Sequence, residues 1–248
     1  MVYIAETERV DELKREGLQI IQSREVFSFS LDAVLLAFFA DIAHTRPATI
    51  VDLCAGNGAV TLMLSAKTKN KVVGVELQEV LYDMAMRSRT LNQLEKKVDF
   101  LQADVRKLVP QYMKQESVDY ITCNPPYFKV NEHSLQNKSD AYRLARHEVA
   151  LPLEELLKNI TLLLKSKGKA YLVHRPERLS DILSVAQQYH LEAKRVQFVY
   201  PKSHKNSNIV LIELMKDGGS AGVKIIPPIV VFDENGNYTE QMREILYG

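Results

Sequence analysis

The chain has 248 residues, 46% hydrophobic and 25% charged, enough apolar material for one substantial core with a small appendage, which excludes disorder over most of its length. Its 32 Lys+Arg against 31 Asp+Glu leave a net charge of +1, so no global field draws in nucleic acid or an anionic membrane, and any polyanion site has to be a local patch. The longest apolar run, residues 33–40, is far short of the roughly 20 residues that span a bilayer, so no membrane partner is expected.

The N-terminus opens on Glu6, Glu8, Asp11 and Glu12, where a secretory leader carries basic residues and an apolar stretch, and a cytoplasmic location is expected. Residues 1–47 read as an N-terminal unit that packs on the core. Within it, 18–22 and 26–29 read as a short strand pair, and Ser30 as the N-cap of a helix from 31 to about 43. From residue 48 to 216 short β-branched runs alternate with helical patterns, the mark of βαβ units and a largely parallel sheet. Strands are expected at 49–54, 72–76, 98–104, 118–124, 169–174, 195–200 and 208–215. Between them Val80, Leu81, Met84, Ala85, Ser88 and Leu91 recur at helical spacing, as do Leu153, Leu156, Leu157, Ile160, Leu163 and Leu164. Only residues 201–207 separate the last two strands, too few for a helical crossover, so these two form an antiparallel hairpin. The pattern is α/β: a seven-stranded, mostly parallel sheet with its last strand reversed and helices on both faces. Residues 217–248 begin with Asp-Gly-Gly-Ser-Ala-Gly and carry Pro227-Pro228 and an Asn235-Gly236 turn, which reads as a C-terminal arm. Cys54 and Cys123 each end a strand-like run and read as small buried side chains. Two cysteines make neither a zinc ligand set nor a disulfide framework, and no metal site is expected.

Asp52-Leu53-Cys54-Ala55-Gly56-Asn57-Gly58 follows the first strand of this pattern and opens a helix. In that context glycines let a ligand approach the backbone closely. A dinucleotide fingerprint places a third glycine at position 61, but the chain has Thr61, which disfavours a pyrophosphate ligand. A nucleoside without phosphate needs only the first two glycines and acidic residues for its hydroxyl and cationic groups, and S-adenosyl-L-methionine has that shape. Glu76 ends the second strand, where a carboxylate can accept both ribose hydroxyls. Asp104 ends the third. The carboxyl ends of adjacent parallel strands line one crevice, so Asp52, Glu76, Asp104 and Asn124 are all expected to face it.

Asn124-Pro125-Pro126-Tyr127 follows the fourth strand. Two prolines stop the strand, stiffen the backbone and remove two donors while leaving carbonyls free to accept. The result is a rigid wall of acceptors beside an aromatic ring. An amine conjugated to a heteroaromatic ring, or a carboxamide, is a poor nucleophile because its lone pair is delocalised. The Asn124 oxygen and the carbonyl of Pro125 or Pro126 can take its two hydrogens, and Tyr127 can stack on its plane. Asn124 then acts as acceptor and positioner, not as a base, and near-attack placement is worth about 7–11 kcal/mol. Carbonyl dipoles stabilise the nitrogen as it becomes cationic.

Together Val51 to Gly58, Val73-Gly74-Val75-Glu76, Gln102-Ala103-Asp104 and Asn124 to Tyr127 resemble the class I S-adenosylmethionine-dependent methyltransferases of the amino-group type. The resemblance implies a Rossmann-like fold with seven strands, the last antiparallel. It also implies Asp52, Gly56 and Gly58 along the methionine part of the cofactor, Glu76 on the ribose, Asp104 at the adenine and Asn124 to Tyr127 as the catalytic turn. One departure is Cys54, where many relatives of the class carry Gly. Phe27 to Leu36, Ala145-Arg146-His147-Glu148, Tyr200-Pro201-Lys202, the Pro-Pro-Ile-Val-Val-Phe segment and Tyr238-Thr239-Glu240 further resemble the bacterial tRNA1(Val) adenine-N6 methyltransferases. Those enzymes methylate the adenine just 3′ of the anticodon, which implies a tRNA partner.

Two local basic stripes suit such a partner. One holds Lys194, Arg195, Lys202, His204 and Lys205, the other Lys129, Lys138, Arg143, Arg146 and His147 with Phe128 and Tyr142 interleaved. Lys129, Arg143, Arg146, Lys202 and Lys205 are the candidate RNA contacts, holding phosphates while an unstacked adenine enters the Tyr127 pocket. Residues 128–148 read as a lid. Three alternatives stay open. A glutamine N5-methyltransferase of release factors suits the same turn, but that family carries a long helical N-terminal domain for which about 48 residues are too few. A guanine-N2 rRNA methyltransferase tends to have Phe where this chain has Tyr127. A binding module that has lost chemistry needs neither the intact turn nor the acidic set.

Overall fold

The computed structural model describes residues 2–23, 29–125, 151–219 and 222–248. A hairpin of β1 (Glu8–Leu13) and β2 (Leu18–Ser23) leads into α1 (Leu31–Phe39). Four strands follow, β3 (Ile50–Leu53), β4 (Val72–Glu76), β5 (Val98–Gln102) and β6 (Val118–Cys123), with α2 (Ala59–Lys67), α3 (Glu79–Leu91) and the short α4 (Leu108–Gln111) between them. Next come α5 (Leu153–Leu163), β7 (Leu164–His174), α6 (Leu179–Gln188) and the long hairpin of β8 (Leu191–Tyr200) and β9 (Ile209–Lys216). Two-residue strands β10 (Lys224–Ile225) and β11 (Ile229–Val230) and helix α7 (Glu240–Tyr247) end the chain.

The main sheet runs β10-β8-β9-β7-β6-β3-β4-β5, with β11 also on β8. Its seven long strands are the seven expected, and β9 is antiparallel to both β7 and β8 while β3, β4, β5, β6 and β7 pair in parallel. The sheet is nevertheless wider than seven, because β10 and β11 add two parallel pairings to the β8 edge. Period-2 alternation alone separates the two faces. One face buries Ile50, Tyr171, Val173 and Leu211 against Leu35, Leu36, Leu62 and Met63 of α1 and α2, and Met242 and Ile245 of α7 join that cluster. The other buries Val51, Ile121, Leu172 and Ile212 against Leu156, Leu157 and Ile160 of α5 and Ile182 of α6. Burying several such aliphatic side chains on each face, at about 1.5–3 kcal/mol apiece, is what offsets the entropy of ordering the chain.

Two expectations need correction, and a third, the strand at 26–29, falls on a segment of which residues 26–28 lie outside the described residues; the described partner of β2 is Glu8–Leu13. The sequence Glu-Arg-Val-Asp-Glu-Leu reads as solvated, and the strand is indeed mostly solvated, with only Leu13 fully buried. Helix α1 stops at Phe39, not near 43, because Lys67 of α2 donates to the carbonyls of Ala37, Phe38 and Ala40 at 2.8, 3.2 and 2.6 Å and ends the helix there. Ser30 does hold the N-cap position in extended conformation, but its side chain makes no capping hydrogen bond.

Strand order reverses between β3 and β6: the chain moves outward through β4 and β5, then returns to the far side of β3. In an open parallel sheet such a switch point opens a crevice at the carboxyl ends of the strands. The Cys54–Gly58 turn leaves β3 there, and Asn124 leaves β6 there.

Candidate functional site

The turn after β3 is built from left-handed backbone. Cys54, Gly56 and Gly58 have φ of 56°, 57° and 90°. A glycine is the ordinary occupant of the first of these, so Cys54 sits in a conformation that costs an L side chain of order 1 kcal/mol or more. The two glycines differ in kind. Nothing lies within 4 Å of where a Cβ would stand on Gly56, so its open side is available to a ligand. A Cβ on Gly58 would meet the Phe100 ring at 2.6 Å. Gly58 therefore serves helix-to-sheet packing.

Glu76, at the end of β4, is 6% exposed and holds this turn. One carboxylate oxygen accepts from the Gly56 N–H and the other from the Gln78 N–H, each at 2.8 Å. Its backbone carbonyl accepts from the Ala103 N–H at 3.0 Å, and the Ala55 N–H donates to the Val75 carbonyl at 2.9 Å, so the ends of β3, β4 and β5 are stitched together. A carboxylate with two backbone donors retains lone pairs for sugar hydroxyls. Leu77 and Val80 stand next to it, 49% and 57% exposed. These exposed aliphatic side chains suit a flat heterocycle; the sequence placed Val80 only in a helical stripe, and the signal missed was an aliphatic residue directly after a strand-end acid.

Asp104, after β5, caps a single 3₁₀ turn and grips Arg106. Its oxygens accept from the Arg106 Nε and Nη2, the closest at 2.5 Å, and from the Arg106 N–H at 2.9 Å. That guanidinium holds the Asp104 carboxyl below its ordinary range.

Asp52 departs from the expectation that it faces the crevice. It is 1% exposed, with one oxygen accepting from Thr61 Oγ1 at 2.6 Å and the other from Thr122 Oγ1 at 2.7 Å. Its position in the middle of β3, opposite Thr122 on β6 and Gly74 on β4, points it under α2. Burial pushes its carboxyl up to about 6, with the threonine hydroxyls opposing and the Glu76 charge adding to the rise.

Asn124 is half-buried and Pro125 buried at the end of β6, beside the end of β3, where Leu53 and Cys123 pair. Cys123 is fully buried and burial raises its thiol well above the ordinary range, with Cys54 as its hydrogen-bonding neighbour. Pro126, Tyr127, Lys129, Arg143, Arg146 and the 128–148 segment lie outside the described residues. The end of β7, next along the edge, carries His174, 3% exposed, whose Nδ1 accepts from the Arg175 N–H at 2.8 Å. Burial lowers its pKa to about 4, so it is neutral at physiological pH.

Because β8 regains the direction of β6 through two antiparallel steps, its 201–207 loop lies on this same edge. Lys202 Nζ donates to the Glu234 carbonyl at 3.2 Å, Ser203 Oγ to a Glu234 carboxylate oxygen at 3.0 Å, and His204 Nδ1 lies 3.4 Å from that oxygen. Lys205 is exposed on this loop. The C-terminal arm thus buttresses the loop, a relation the sequence did not reveal. So does the N-terminal hairpin for the glycine turn: Asn57 Nδ2 donates to the Ile21 carbonyl at 3.0 Å, and the Ile21 N–H donates to Ser88 Oγ at 2.9 Å. Among the described residues no group of three His, Cys, Asp or Glu is placed to hold a metal, and no helix is long and apolar enough to cross a membrane.

Residues 50–148 match the family model for a methyltransferase domain. The chain is 28% identical over 216 residues to a tRNA1(Val) (adenine(37)-N6)-methyltransferase of Shewanella sp. (strain MR-4), covering 87% of this chain and 89% of that one. A protein of the same description from Porphyromonas gingivalis (strain ATCC BAA-308 / W83) is 28% identical over 186 residues, covering 73% and 72%. Among solved structures, a predicted O-methyltransferase, protein Atu636 from Agrobacterium tumefaciens, superposes with a TM-score of 0.68 at 21% identity, covering 87% of this chain and 95% of that one.

Proposed function

We propose that this chain, which carries a methyltransferase domain, transfers a methyl group from S-adenosyl-L-methionine to N6 of an adenine in tRNA, the adenine just 3′ of the anticodon of a valine tRNA. The observation that carries the reading is the juxtaposition at the switch point. The Gly56–Glu76 cradle and the Asn124-Pro125 turn leave the paired ends of β3 and β6 side by side. One ligand-binding turn and one acceptor-rich turn therefore share a crevice. The names borne by the Shewanella and Porphyromonas relatives support the choice of adenine N6 and of tRNA.

The residues fit an adenosyl group. Gly56 leaves its open side free, Glu76 presents an ordered carboxylate for sugar hydroxyls, and Leu77 and Val80 offer an apolar shelf for the base. When bound, S-adenosyl-L-methionine supplies a methyl on a sulfonium, an electrophile that needs only an aligned nucleophile. Alignment is what Asn124 contributes. Its side-chain oxygen and the Pro125 carbonyl accept the two N6 hydrogens, turning the nitrogen lone pair toward the crevice and stabilising positive charge as it grows on nitrogen. Tyr127 stacks on the adenine. Burial keeps His174 neutral at physiological pH, so it adds no positive charge to this edge of the sheet. Lys202 and Lys205 hold the phosphate backbone from the loop of the β8–β9 hairpin, and Lys129, Arg143 and Arg146 are the further phosphate contacts that the sequence offers.

Purified chain, methyl-labelled S-adenosylmethionine and total tRNA from cells lacking the chain provide the test, with a release-factor protein and ribosomal RNA in parallel reactions. Label is expected in N6-methyladenosine of the tRNA. Label in glutamine of the protein or in guanosine of the ribosomal RNA overturns the reading.

A further inference from the structure

One row of residues crosses the sheet beneath α2. Thr122 of β6, Asp52 of β3, Gly74 of β4 and Phe100 of β5 are successive cross-strand partners. Partners directly opposite in parallel strands project to the same face. A Cβ on Gly74 would meet the Phe100 ring at 2.5 Å and Thr61 Oγ1 at 2.7 Å, so the glycine makes the space into which the Thr61 hydroxyl reaches down. Asp52 occupies the centre and accepts from Thr61 on the helix side and Thr122 on the sheet side, at 2.6 and 2.7 Å.

Helix α2 explains why a carboxylate is buried here. Its N-cap is Gly58, which has no side chain to satisfy the first turn's N–H groups. Asp52 supplies a carboxylate there from the sheet, accepting the hydroxyl of Thr61, the third residue of the helix. Negative charge at a helix N-terminus is favoured by the helix dipole. The other carboxylate oxygen is spent on Thr122, two residues before Asn124.

We propose that Asp52, Thr61 and Thr122 form a brace that fixes the separation between the glycine turn and the Asn124 turn, and that Thr122 is a positioning residue for methyl transfer. This rests on the reading of the crevice as a methyltransferase site, but not on the identity of the acceptor. Thr61 acts on the cofactor side, through the helix that the glycine turn opens. Thr122 acts on the acceptor side, through the strand that delivers Asn124. A displacement of about 1 Å between reacting groups is enough to cost a hundredfold in rate, so loss of the Thr122 bond is expected to reach kcat without reaching cofactor affinity.

Thr122→Val, Thr122→Ser and Thr61→Val are compared with wild type by isothermal titration of S-adenosylmethionine and by methyl transfer to tRNA. Thr122→Val is expected to lower kcat at least 10-fold with cofactor Kd within 3-fold of wild type. Thr122→Ser, which keeps the hydroxyl, restores kcat to within 3-fold. Thr61→Val raises cofactor Kd about 10-fold. Wild-type kcat in a folded Thr122→Val, or a Thr122→Ser as slow as Thr122→Val, overturns the proposal. If Val at 122 prevents folding, Thr122→Cys, a weak donor of similar size, replaces it under the same criteria. A crystal of the Thr122 variant with S-adenosylhomocysteine gives an activity-free readout: the Asn124 side chain moves by about 1 Å or more relative to Gly56, and an unmoved Asn124 rejects the brace. Absence of transfer to tRNA by the wild type would count against the proposed acceptor, while these structural and titration results still decide the brace.

Discussion

The role proposed for Asn124 needs Val118–Cys123 to carry it to the switch point and Pro125 to stop the strand directly after it. Asn124→Ala keeps the backbone turn but removes the oxygen acceptor, so transfer should fall at least 100-fold while cofactor Kd stays within a few-fold; steady-state rates and titration calorimetry separate the two. His174 and Asp52 predict opposing pH effects on stability. Burial depresses the His174 pKa to about 4 from an ordinary 6.5, so below pH 6.5 the unfolded chain binds a proton that the folded chain resists. Stability is lost as the pH falls through that window, by roughly 2 kcal/mol between pH 7.5 and 5. Asp52 is raised to about 6 from 3.8, so its burial penalty is relieved as the pH falls from 6 toward 3.8. Urea unfolding at pH 7.5 and 5 should therefore show a flatter acid loss in His174→Gln and a steeper one in Asp52→Asn. At this scale Gly56, Glu76 and Asn124 could be located from spacing alone, because strand-end acids and left-handed turns have local signatures. The burial of Asp52 could not, since it depends on Thr61 being nine residues away in sequence but directly overhead in space, and on Thr122 arriving from a strand 70 residues later.

Helix α1 shows how an element's boundary can be set by another element. Periodicity carried it toward residue 43, but the Lys67 ammonium draws three carbonyls of the Ala37–Ala40 region onto itself and the chain turns extended at Ala40. That ammonium is mostly buried, and burial lowers its pKa to about 8. Lys67→Met removes all three bonds and should cost about 1–3 kcal/mol, a fall of about 3–10 °C in the thermal midpoint that differential scanning calorimetry reads directly. An unchanged midpoint would mean that α1 is held by its apolar face alone. The β1–β2 hairpin was half legible. Its inner strand, Leu18–Ser23, carries Leu18, Ile20 and Ile21 and no charge, whereas its outer strand carries four charged residues out of six and has no sequence mark beyond weak alternation. Strands β7 and β8 likewise begin several residues early: β7 opens on buried Leu164, which pairs with Val118 before the register shifts to Lys169, and β8 on buried Leu191, which pairs with Lys216.

With a net charge of only +1 over the whole molecule, a polyanionic substrate has to be met by local geometry. The carboxyl edge of the parallel strands offers it in order: Asp104, Glu76 and the glycine turn on one side of Asn124, and the 201–207 loop on the other, separated from β6 by β7 and β9. Three inter-strand spacings put that loop roughly 14 Å from Asn124, within reach of the nucleotides flanking an inserted adenine. Replacing Lys202 and Lys205 together by Glu should raise the KM for tRNA at least 10-fold, leave cofactor Kd unchanged and reduce the slope of log KM against log salt by about 1–2. An unchanged salt slope would place the RNA elsewhere. The α/β class, the parallel order and the reversed β9 were legible because crossover length and strand spacing dictate them. The extra pairing of β10 and β11 was not, since two-residue strands leave no periodic trace and are held by their neighbours, as in the stacked Phe232 and Tyr238 rings 5.1 Å apart.

The most direct test of the account is to locate the labelled methyl group within tRNA by nuclease mapping and mass spectrometry after reaction with the wild-type chain and with Asn124→Ala. One N6-methyladenine is expected, 3′ of the anticodon in a valine tRNA, made by the wild type and at least 100-fold more slowly by the variant. A methyl group at any other atom or position, or the same product formed at the same rate by Asn124→Ala, would contradict it.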